Sequence, residues 1–130
     1  MNILKKPKKI FSLQEANQAL VLVKPIVKDI LTCINKISVH KESYFEKEQQ
    51  DEVYEEIQNL QFRLIHHLNE LKGVGVILVD LYFGVVDFPM IKDGNEAFFS
   101  WKFGEEEICF YHEKNADHTE RIYLYNLTKH

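Results

Sequence analysis

Six polar residues in the second half of the chain carry side chains suited to chemistry: Asp87, Glu105, His112, Asp117, His118 and Arg121. Asp87 sits between Val86 and Phe88, directly ahead of Pro89, so its carboxylate interrupts an apolar run. Desolvated and given a partner, it is a metal ligand or a general base; otherwise it accepts turn amides or pairs with Arg121. Arg121 is one of two arginines beside fourteen lysines. Its planar fork grips a carboxylate or phosphate through two parallel bonds, which a lysine cannot do. The structural alternative is a clamp from Arg121 to Asp87 or Glu105.

His112, Asp117 and His118 combine imidazole and carboxylate, the ligand types of zinc and related divalent ions, and 113–117 is short enough to curl them together. A hydrogen-bonded structural histidine is the alternative at His112. Glu105 and His112 lie roughly 20 Å apart along an unbent strand, so they share no ion without a fold-back. In a hydrolytic site His112 is the expected base and Arg121 the anion holder. Cys109 and His112, three apart on a strand, face opposite sides and form no nucleophile pair. His66 and His67 point about 100° apart on a helix and chelate no common ion. Cys33 and Cys109 lack any CxxC partner and read as reduced thiols of a cytoplasmic protein.

These residues need a scaffold, and the composition divides it in two. All five glycines fall between Gly73 and Gly104, and eleven of sixteen aromatics follow Lys72. The glycine-free front half reads as helices. Ser12-Leu13-Gln14-Glu15 is a capping box, and Leu13, Ala16, Leu20, Val23, Val27, Ile30, Ile34 and Ile37 recur at steps of three and four, as in coiled coils. Pro25 removes one backbone donor, which predicts a kink or break near Val21 to Lys24. A second helix is predicted from about Tyr44 to Leu71, striped by Val53, Ile57, Leu60, Leu64 and Leu71 with His67 in the seam, and ended by Gly73. The polar segment Ser38 to Asp51 is open to fraying from either helix.

Behind Gly73, short apolar runs alternate with turns: Val74 to Leu81, Val85 to Phe88, Glu96 to Lys102 and Glu107 to His112, with a hairpin signal at Asp93-Gly94-Asn95. Ile122 to Tyr125 add a fifth strand or an ordered arm. Trp101 is expected in an aromatic core with Phe99 and Ala97, faced by Ile108 and Phe110. The predicted fold is α+β: an antiparallel helical hairpin (12–72) packed on an antiparallel β-meander of about four strands (74–112), followed by a C-terminal arm (113–130). Residues 1–10 form a basic flexible arm, and 11–130 a single domain, which at this length buries about two thirds of its unfolded surface.

The net charge of −4 argues against a nucleic-acid binder, as do Glu105, Glu106 and Glu107 beside the aromatic strands. Lys5, Lys6, Lys8 and Lys9 leave the basic arm as the one cationic run. The most apolar stretch, Ala19 to Val27, contains Lys24 and Pro25 and is too short to cross a membrane. Val21, Ile26 and Leu31 widen the first helical stripe, which predicts a homodimer or a protein partner.

Three segments form a recognisable set: Phe11-Ser12-Leu13-Gln14-Glu15-Ala16-Asn17, Gly84-Val85-Val86-Asp87-Phe88-Pro89, and Trp101-Lys102-Phe103-Gly104-Glu105 with His112 and Arg121 downstream. Together they resemble the bacterial family named domain of unknown function 2203, from about Phe11 to Arg121. The resemblance implies a fold neighbourhood without an activity, substrate or cofactor. Ser100 and Tyr111 stand where the family pattern has Cys and Trp, and Asp117 falls where it has a loop glycine. The leading functional reading is a small cytoplasmic interaction or regulatory module that associates through its hairpin. The alternative is a ligand- or metal-binding domain, or a hydrolase-like enzyme, with a polar site around Asp87, His112 and Arg121.

Overall fold

The computed structural model describes residues 9–46 and 50–125, without the side chains of 43–46 and 50. Lys5, Lys6 and Lys8 of the basic arm lie outside the described residues. Helix α1 runs Leu13–Glu46 and α2 Gln50–Val74. Strands β1 (Ile77–Asp80), β2 (Val85–Lys92), β3 (Asn95–Lys102), β4 (Phe110–Glu113) and β5 (Ile122–Tyr123) follow, with a 3₁₀ turn at His118–Glu120. They form one antiparallel sheet in the order β1-β2-β3-β4-β5, so the α+β hairpin-and-meander architecture holds and the tail supplies its fifth strand.

The capping box forms as its spacing requires: the Ser12 amide donates to Glu15 Oε1 at 2.9 Å and the Glu15 amide to Ser12 Oγ at 3.1 Å. Those bonds hold the Glu15 carboxyl below its ordinary pKa. The expected break at Pro25 is absent, and α1 continues through it. Proline there forfeits only the bond to the Val21 carbonyl, and Val21 is 73% exposed, where solvent can serve that oxygen. The second helix starts at Gln50 rather than Tyr44, which belongs to α1. The polar stretch before it holds no glycine or proline, and its lysines and glutamates are good helix formers, so α1 extends into it as far as Glu46.

Asp93 (φ 51°) and Gly94 (φ 80°) make the two-residue turn whose positive φ angles match strand twist. That turn sets Lys92 against Asn95, and hence Val86 against Trp101 and Asp87 against Ser100. Between β1 and β2, Gly84 has φ 70°, and a Cβ there would lie 2.9 Å from Phe103 Cβ. Glycine is needed both for its conformation and for the close approach. Strand β4 is shorter than predicted because its approach is spent on α1: Ile108 N–H donates to Asn17 Oδ1, and Lys24 Nζ to the Glu106 carbonyl.

Side chains of one parity on the strands face α1. Val86, Phe88, Met90, Ala97, Phe99, Trp101 and Tyr111, with Ile108, bury against Ala16, Leu20, Val23, Val27 and Ile30. Trp101 Nε1 donates to the Glu105 carbonyl at 2.8 Å, so its one polar atom is satisfied. Phe110 is not in this core. Its register partner is Ser100, which places it on the opposite face. Helix α2 packs along α1 through the buried Ile57 and Leu60, and joins the common core through Leu71. Ile26 and Leu31, expected to widen an association stripe, are partly buried against that same core, so of the three only Val21 stays open.

Candidate functional site

Because side chains alternate across a strand, the face turned away from α1 carries the other parity: Val85, Asp87 and Pro89 on β2, Phe98, Ser100 and Lys102 on β3, Phe110 and His112 on β4. The 113–121 segment returns over this face. Asp87 and His112 reach toward each other across β3, and His112 Nε2 lies 2.8 Å from Asp87 Oδ2. Both are buried, Asp87 to 4% and His112 to 3% exposure. The imidazole stacks on Phe98 with ring centroids 5.3 Å apart.

The proton inventory follows from the second nitrogen. His112 Nδ1 lies 2.9 Å from the Glu113 carbonyl, which only accepts, so Nδ1 carries hydrogen. The contact between Nε2 and Oδ2 therefore holds the remaining proton. Burial pushes the Asp87 carboxyl above its ordinary pKa, opposed by the charge and hydrogen bond of His112 and by the charge of His118. Asp87 Oδ1 and Ser100 Oγ are buried and have no hydrogen-bond partner among the described residues, although the two residues face each other across the ladder.

Arg121 is a clamp, and its partner is Glu105. Nη1 and Nη2 donate to Oε1 and Oε2 at 2.9 and 3.0 Å, while the guanidinium carbon lies 4.0 Å from the Phe110 ring centroid. Glu105 Oε1 also accepts the Lys102 amide at 2.7 Å. Asp87 is thus bound to His112 and not to Arg121. His112, the expected base of a hydrolytic site, has Nε2 engaged with Asp87 and Nδ1 with the Glu113 carbonyl, and its ring is buried.

The proposed ligand set of His112, Asp117 and His118 does not assemble. Asp117 Oδ1 accepts both the amide and the hydroxyl of Thr119, capping the 3₁₀ turn, and these bonds lower its pKa. His118 Nε2 turns instead toward Asp80 Oδ2, 3.6 Å away. Among the described residues no three His, Cys, Asp or Glu side chains are placed to hold a metal ion.

A cleft of about 560 Å³ lies between the 3₁₀ turn and the sheet, lined by Asp80, Phe83, Val85, Lys102, Phe110, His118, Thr119 and Arg121. Asp80 Oδ1 accepts the Tyr82 and Phe83 amides at 3.0 and 2.9 Å, so this carboxylate shapes the β1–β2 turn. Asp80, Ser100 and Lys102 are absent from the site drawn from sequence. The Asp93-Gly94 turn was the available signal for Ser100, since a two-residue loop makes Asp87 its direct neighbour. Asp80 and Lys102 had no comparable local mark.

The chain belongs to the DUF2203 family of uncharacterized conserved proteins, which matches residues 9–124. No curated protein and no solved structure matches it.

Proposed function

We propose that this protein is a small cytoplasmic interaction module that forms a homodimer through its helical hairpin. The observation that carries the reading is the length of the hairpin beyond the sheet. At 1.5 Å per residue α1 is about 51 Å long, whereas an eight-residue strand spans about 27 Å. Contacts with the common core end at Ile34 on α1 and begin at Leu64 on α2. The stretch 35–46 therefore extends about 18 Å further, with α2 as its neighbour among the described residues.

In that stretch Ile57 and Leu60 close the seam between the helices, and Val53 and Ile37 are only partly buried. Two helices with a single shared stripe gain little from packing, the term that supplies most helical stability in water. Tyr54, Phe62 and Ile65 line another face of α2, and Phe62 is 72% exposed. A second hairpin related by a two-fold axis covers this face and completes a four-helix bundle, a self-complementary arrangement in which each copy supplies the same surface. The free thiols Cys33 and Cys109 suit a reducing compartment.

Sedimentation velocity on the full chain tests the reading. A dimer at tens of micromolar is expected, dissociated by Phe62→Glu with helix content unchanged. A wild-type monomer at that concentration, or a Phe62→Glu protein that remains dimeric, overturns it.

A further inference from the structure

We propose that the cleft on the outer sheet face binds a small oxyanion, a carboxylate or a phosphate monoester, held by Lys102 and the unspent donors of Arg121. The size suits this: ligand sites typically enclose roughly 300–1,000 Å³. The polar capacity left over inside it is on the donor side. Asp80 Oδ1 already takes two amides, Glu105 Oε1 takes the Lys102 amide and one guanidinium N–H, and Glu105 Oε2 takes another. Asp80 Oδ2 faces His118 Nε2 at 3.6 Å, and Asp80 Oδ1 and both Glu105 oxygens are thus occupied by the protein's own donors.

The cations are not. Lys102 Nζ makes no ion pair among the described residues and stands 5.3 Å over the Phe83 ring. Arg121 commits one N–H from each terminal nitrogen to Glu105, which leaves three of its five donors. A clamp alone needs no cleft in front of it.

Two further features favour binding over a solvated charged surface. The bidentate bond to Glu105 and the stack on Phe110 hold the Arg121 fork in place, so little side-chain freedom is lost when an anion arrives. Val85 and Phe110 make the floor apolar, which strengthens charge-assisted hydrogen bonds above it.

NMR titration of the full-length ¹⁵N-labelled protein with inorganic phosphate, and separately with benzoate, at constant ionic strength tests the inference. Saturable shifts are expected at the amides of Lys102, Phe110, His118 and Arg121. Lys102→Ala should weaken binding by about tenfold, the loss of one charge-assisted contact, while Lys114→Ala, which removes a lysine paired with Glu96, leaves it unchanged. Tighter phosphate binding identifies a phosphate ester as the ligand type, and tighter benzoate binding a carboxylate on an apolar body. Shifts that never saturate, that chloride reproduces, or that survive Lys102→Ala undiminished mean an adventitious ion only and overturn the proposal. The readout sits on the sheet, so its failure is separate from any failure of dimerisation.

Discussion

The two faces of the sheet are built from the same three strands and closed in different ways. Toward α1, Val86, Phe88, Phe99 and Trp101 bury against an apolar helix stripe, and stability comes from surface removed from water. Toward the 113–121 segment, Asp87, Ser100 and His112 are equally buried, yet that face closes with the Asp87–His112 contact, an arginine clamp and a capped 3₁₀ turn. Apolar packing is tolerant of changes that conserve volume. A buried ion pair is not, because removing one partner strands the other in a low dielectric. The inner face therefore holds the fold, and the outer face is where polar groups are kept at a cost that stability alone does not explain.

Three substitutions sharpen or break that contrast. Trp101→Ala should lose the most, about 3–5 kcal/mol, through the cavity beneath α1 and the lost bond to the Glu105 carbonyl; urea denaturation measures it. His112→Ala should cost about 3 kcal/mol by leaving the Asp87 carboxyl uncompensated. A loss below about 1 kcal/mol, the range of exposed pairs, shows that water reaches the pair and abolishes the contrast.

The smallest effect concerns pH. Burial raises the folded pKa of Asp87 above its ordinary value of 3.8, so on raising pH the unfolded chain releases this proton first. The folded state then binds more protons, and the Asp87 contribution to stability falls from about pH 4 up to the raised value. Glu15 and Asp117, whose pKa values are lowered, contribute the opposite slope at more acidic pH. Subtracting the stability profile of Asp87→Asn from that of the wild type isolates the falling component. A flat difference means that Asp87 titrates as a solvated carboxylate.

Much of the scaffold was legible locally. The Ser12–Glu15 box starts α1 where its spacing requires, and the apolar stripe from Ala16 to Ile30 is the buried face. The Asp93-Gly94 turn carries the β2–β3 register within its own two residues. Phe110 was misplaced because no such device links β3 to β4. Their connection folds through the Trp101 Nε1 bond to Glu105 and the Ile108 bond to Asn17 on α1, a partner 91 residues away. That same connection decides which side of β4 His112 occupies, and so whether it meets Asp87 or a metal.

Helix periodicity, capping and tight-turn chemistry depend on neighbours within a few residues, so the amino-acid order alone determined the hairpin, the meander and the apolar sides of α1, β2 and β3. Which charges meet depends on register between strands far apart in the chain. A shift of one residue exchanges the two faces, so only the folded sheet decided that Asp87 pairs with His112 and Arg121 with Glu105.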